Sequence, residues 1–195
     1  PLLIRESREF NAYIEDAERG LSDKSKAEAI AAQTQRTIRE NLHRDPEFYR
    51  RFSEKIEKLI ADLRAAKKED LMALLARARD VQGRVAAYEA NDIPETIRRQ
   101  KALHPFFRSL QSGLKAHAVP EERLCEMTRA MASLIDTHKI VDWWRNIEVE
   151  RQVRTELEDY LFDVVKEQIG VPLAAGEIER LTSIVWELAV ENREP

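Results

Sequence analysis

Several things are scarce in this chain, and each scarcity closes off a class of function. There is one cysteine, Cys125, among 195 residues. It allows no internal disulfide framework and fits a reducing, cytoplasmic setting. The five glycines are too scattered to build a phosphate-cradling loop. The pattern G-x-x-x-x-G-K-[ST] is absent, so no run of backbone N–H groups is bared to wrap a nucleotide. The four histidines, His43, His104, His117 and His138, never fall at metal-ligand spacing, and no H-x-x-x-H occurs. No apolar run approaches the roughly 18 to 20 residues of a membrane span. Pro1-Leu2-Leu3-Ile4-Arg5 lacks the apolar stretch and cleavage site of a signal peptide. The chain also lacks an initiator methionine, which predicts a piece of a longer protein; removal of Met before Pro gives the same start.

A nuclease signature is missing as well. Metal-dependent cleavage of the common restriction type needs acids to hold a metal and a lysine two residues on to stabilise developing charge. No [DE]-x-K occurs anywhere. From residues alone, then, no catalytic, metal or cofactor-binding residue is expected. Cys125 with His117 or His138 would be a nucleophile and base by type only; the plainer expectation is a buried helix thiol. Acidic pairs such as Glu121-Glu122 and Glu158-Asp159 read as solvated helix faces or salt-bridge partners.

What is abundant is helix-forming residues. Charged residues make up 35% and hydrophobic ones 43%, enough to build a core rather than a disordered chain. Apolar positions recur every three to four residues and nowhere alternate like a strand. The expected fold is all-α, a multi-helix bundle of about seven to nine helices with no sheet. The opening segment puts Leu3, Phe10 and Ile14 on one face and stops at Gly20. Ser25-Lys26-Ala27-Glu28 reads as a capping box for a helix running to about Leu42. Asp45-Pro46-Glu47 opens the next, with Phe48, Phe52, Ile56, Leu59, Ile60 and Leu63 as its stripe. After a polar hinge at 67–70 comes a stripe of Leu71, Leu74, Leu75, Ala78, Val81 and Val85. Pro94, Pro105 and Pro120 predict helices from about 94 to 102, 105 to 115 and 120 to 138. Ile147, Val153, Leu157, Leu161 and Val164 mark a long helix, to Ile169, that closes at Gly170, and a last one carries Ile178, Leu181, Ile184, Val185 and Leu188. The chain reads as a single helical domain, 1–195, with a boundary near Asn91-Asp92 that allows two packed halves, 1–91 and 92–195.

Two places stand out as candidate contact surfaces. Between Thr96 and Pro120 there is no acid, while Arg98, Arg99, Lys101, Arg108 and Lys115 give a formal +5, so the rest of the chain, with a total of −4, carries −9. That block either faces phosphate or an acidic partner, or pairs with acids of neighbouring helices. The second is Trp143-Trp144-Arg145. Tryptophan is favoured at binding hot spots, and neighbours on a helix point about 100° apart. Trp144 is therefore a contact candidate beside Arg98, Arg99, Lys101 and Arg108, unless both rings are core. Trp186 falls on an apolar face and belongs to the core.

Three stretches also carry a family likeness. They are Asp45-Pro46-Glu47-Phe48-Tyr49 leading into Phe52-Ser53-Glu54-Lys55-Ile56-Glu57-Lys58-Leu59-Ile60; His104-Pro105-Phe106-Phe107-Arg108-Ser109-Leu110; and Ile140-Val141-Asp142-Trp143, opening a long helix that ends at Gly170-Val171-Pro172. In order and spacing they resemble the C-terminal helical region of the motor (R) subunit of type I restriction enzymes. The likeness covers roughly residues 30 to 195; residues 1 to 30 and the doubling of Trp143 by Trp144 lie outside it. The resemblance implies a non-catalytic region that docks an ATP-dependent, DNA-translocating and cleaving subunit onto a core of methyltransferase and specificity subunits. DNA would be reached through that complex, with no membrane involved. ATP, Mg2+ and S-adenosylmethionine would serve the parent complex and not this region, and nuclease and motor sites would lie upstream. The alternative is an independent helical adaptor or self-associating bundle unrelated to DNA. A third is a small helical enzyme whose acids converge from different helices.

Overall fold

A computed structural model describes residues 6, 8–10, 12, 13 and 22–193. Among these residues the fold is all-α: eight α-helices, one π-helical stretch, four 3-10 turns and no strand. Leu3, Ile14 and Gly20 lie outside the described residues. The chain divides into two compact units. One comprises the residues up to Leu42 together with Phe48–Glu89; the other comprises His43–Glu47 and Ala90 onward.

In the first unit, α1 (Asp23–Asn41) starts three residues earlier than the sequence suggests. Ser22, not Ser25, is the cap: its side chain accepts from the Ser25 backbone N–H at 3.2 Å. Both serines fit the cap chemistry, and Ser22 serves it because Ala27, Ile30 and Ala31 must all face inward from a helix already in phase. Helix α2 (Pro46–Ala65) opens on proline, where the missing N–H is harmless. It buries Phe48, Phe52, Ile56, Leu59 and Leu63, with Ile60 at the stripe's edge. A 3-10 turn, Lys68–Asp70, leads into α3 (Leu71–Ala87), which buries Leu74, Leu75, Ala78, Val81 and Val85. Helix α1 packs on α3, and Gln82 Nε2 donates to Gln33 Oε1 at 2.7 Å. Phe10 packs on the same core. Helix α3 ends on Tyr88 in the left-handed region (φ 50°), a position that favours glycine. The Tyr88 ring lies 4.8 Å from that of Phe48, which offsets the backbone cost with aromatic contact.

In the second unit, the helix expected over 94–102 is one turn, α4 (Glu95–Arg98), then a 3-10 turn, Lys101–Leu103. His104 Nε2 lies 2.9 Å from the Arg98 carbonyl oxygen, the acceptor that a continuing helix would offer to residue 102. Then follow α5 (His104–Gly113), α6 (Glu121–Thr137), α7 (Ile147–Asp159) and α8 (Ala175–Glu191). Their buried faces, including Phe107, Met127, Leu157 and Val185, form one core. Trp143 and Trp186 belong to it, their rings 5.4 Å apart and edge to face.

The helix expected over 147–169 forms, but its second half, Tyr160–Gln168, is π-helical. Val153, Leu157, Leu161 and Val165 are all fully buried. A strict spacing of four drifts by about 40° per step in an α-helix, which would carry Val165 off the core. Wider turns, as in the Ile169 N–H to Val164 carbonyl bond of 2.8 Å, correct that drift. Gly170, at φ 83°, then turns the chain out.

Candidate docking site

The connection between α6 and α7 is ordered from both ends. At its start, His138 Nε2 sits 2.8 Å from Glu156 Oε2 on α7. That hydrogen bond, against the opposing effect of burial, holds the Glu156 carboxyl below the ordinary range. At its end, Asn146 caps α7, its side-chain oxygen accepting from the Glu148 N–H at 3.0 Å. Between them the Trp143 N–H donates to the Ile140 carbonyl at 3.2 Å, closing a turn in which Asp142 takes φ 55°. Trp143 plugs the turn into the core, touching Trp186 on one side and Trp144 on the other.

With Trp143 fixed inside, the apolar residues around it are left outside. Val141 is 91% exposed, Ile147 62% and Ile140 58%. Ile140 and Val141 therefore stand exposed on a turn whose backbone is already committed, and Ile147 stands exposed at the start of α7 just after it. Solvated surface gains nothing from such residues, and a rigid apolar knob is the kind of feature that partner grooves accept.

The sequence-predicted contact residues are scattered. Trp144 is half-buried at the base of the knob, with the Arg145 and Arg193 guanidinium carbons 5.9 Å and 5.1 Å from its ring centre. It is neither full core nor a bared hot spot. Arg98 turns back on its own chain, donating through Nε and Nη2 to the Ile93 carbonyl at 3.0 and 2.8 Å and through Nη1 to Glu95. Arg99 and Lys101 are exposed.

Arg108 lies in the interior and not at a contact surface. It is 3% exposed and grips Asp45 through Nη1 at 2.6 Å and Asp92 through Nε and Nη2 at 2.8 and 2.9 Å. Its charge is spent within the second unit, holding the 43–47 segment to the helices after Ala90. His104 is buried beside it; loss of hydration chiefly, with the Arg108 charge adding, pushes its pKa down. Phe106 and Phe107, which fall within the acid-free block, are core as well.

Among the described residues, His117, His138 and Cys125 each have partners other than one another. His117 pairs with Glu177 at 2.9 Å and His138 with Glu156, so neither histidine faces Cys125, which instead receives the Thr96 hydroxyl at 3.5 Å. Among the described residues no group of three His, Cys, Asp or Glu is placed to hold a metal ion. A groove of about 460 Å3 between α6 and α7 is lined by Leu134, Thr137, Glu156, Asp159 and Tyr160. Burial first, and the nearby Glu126 charge second, raise the Tyr160 hydroxyl's pKa, so it stays neutral.

In the sequence, Ile140 and Val141 stand out only within the family likeness and not as a surface. The available signal was two large apolar residues in a junction, outside the phase of either flanking helix. Compared with protein-family models, curated proteins and solved structures, the chain matches none.

Proposed function

We propose that this chain is a docking module, the helical assembly region of a type I restriction enzyme motor subunit, and that the Ile140–Val141–Ile147 knob is its contact with the modification methyltransferase core. The observation that carries the reading is the exposure of Ile140 and Val141 on a turn anchored by a buried tryptophan, with Ile147 exposed at the start of the helix that follows. Because the turn is closed before any partner arrives, docking orders little chain and keeps most of the gain from burying the apolar groups. Burying Val141 alone is worth about 1.5 to 3 kcal/mol. The resemblance in 45–60, 104–110 and 140–172 supplies the partner's identity. In this reading ATP hydrolysis, translocation and cleavage belong to other parts of the subunit, and this region fixes where the motor sits.

The test is titration calorimetry of the chain against a methyltransferase–specificity complex from the same genome. A stoichiometric complex with Kd near or below about 10 µM, or roughly −7 kcal/mol, is expected. Val141→Asp should weaken it at least tenfold, because the carboxylate would be buried unpaired. No heat and no co-elution on gel filtration would leave the adaptor alternative. Concentration-dependent mass of the chain alone, lost in Val141→Asp, would mark self-association instead.

A further inference from the structure

The second unit holds a cleft of about 270 Å3 that the docking reading does not use. Its lining is mostly apolar, with Leu103, Phe106, Ile135 and Ala189 among it, and Asp136, Lys139 and Asn192 complete it. Exposed cations neighbour its lining residues along the chain. Lys101 directly precedes the lining residue Ala102, and Arg193 directly follows Asn192. Asn192 Nδ2 donates to the Arg44 carbonyl at 2.8 Å, which brings Arg44 to the same edge. Arg99 lies two residues before Lys101, and all five of these cationic residues are exposed. The opposing acids are few: Asp136 holds Lys139 at 2.6 Å, and Glu191 lies 3.4 Å from His43. Among the described residues, no acid pairs with Arg44, Arg99 or Lys101. Beside the cleft, Arg193 also lies over the Trp144 ring.

We propose that this cleft binds a single strand of nucleic acid, with phosphates on the cations and a base against the apolar lining. The chain's net charge of −4 does not oppose this, because the local field near a site is set by the nearest unscreened charges. Cations tracking a backbone beside an apolar or aromatic platform are the recurring arrangement for single strands. A cleft this small admits a planar ring but neither a duplex nor a partner's helix. An acidic peptide would satisfy the cations and leave the apolar lining unused.

The probe is a fluorescein-labelled oligothymidylate of about twelve nucleotides, followed by anisotropy with this chain at low salt. Binding should weaken with salt, log Kd against log salt rising with a slope of about 2 for three phosphates neutralised. Arg44→Glu combined with Lys101→Glu should weaken it at least tenfold while far-UV circular dichroism stays unchanged. Val141→Asp should leave strand binding intact, so failure of this inference and failure of the docking reading are separable. The inference is overturned if protein at about 100 µM, the weak end of non-specific binding, gives no anisotropy change. It also falls if the double variant binds like the parent, or if poly-glutamate or duplex DNA competes as well as the unlabelled strand.

Discussion

Arg108 shows how a residue's neighbours decide its role. By type it can face phosphate, an acidic partner or the acids of neighbouring helices; by position it is a buried clamp on Asp45 and Asp92. Removing it takes the guanidinium from a carboxylate, Asp45, that is 1% exposed, so Arg108→Ala should cost about 3 to 5 kcal/mol. Urea unfolding followed by tryptophan fluorescence checks this within one unit, since Trp143, Trp144 and Trp186 all lie in the second. A loss under about 1 kcal/mol would mean the clamp is ornamental. His104 adds a pH signature. Its folded pKa is pushed down while the unfolded side chain takes its proton near about 6.5, so the unfolded state binds more protons in acid. Stability is therefore full above about 6.5 and lost as pH falls toward the lowered folded value. His104→Gln should flatten that slope between pH 7 and 5.5, with Asp45, Asp92 and Arg108 unchanged beside it. The sequence made the acid-free block legible, but a single chain does not show which distant acid meets which arginine. The Asp45–Arg108 pair spans 63 residues.

Elements were far more legible than residues, because helical period and proline position are written locally. Helices α2, α3, α5, α6 and α8 lie where their stripes and prolines put them. Two departures accompany contacts that local pattern does not carry. At the early end of α4, His104 Nε2 lies beside the Arg98 carbonyl, and the four-residue spacing from Val153 to Val165 is met by π turns in α7. Glycines at two helix positions should respond with opposite signs. Gly170 sits at φ 83° with open space around it, so Gly170→Ala suffers backbone strain alone and should destabilise by about 1 kcal/mol. Gly83 is inside α3 with nothing near a new Cβ, so Gly83→Ala should stabilise by about 0.5 to 1 kcal/mol. Thermal unfolding by circular dichroism reads both. The same sign for both would contradict the backbone account of the Gly170 turn.

For the whole molecule, the fold class was legible from composition and period, and the surface was not. Periodicity tells which residues a helix buries; it says little of residues between helices, and Ile140 and Val141 lie between α6 and α7. Their exposure depends on Trp143 reaching Trp186, 43 positions later in the chain. The docking account makes the knob the centre of function. Hydrogen-exchange mass spectrometry of the chain, alone and with the methyltransferase–specificity complex, tests it most directly. The account predicts new protection concentrated in residues 138–147, with little change along α1 to α3. Protection appearing elsewhere while the 138–147 amides exchange as in the free chain would contradict it.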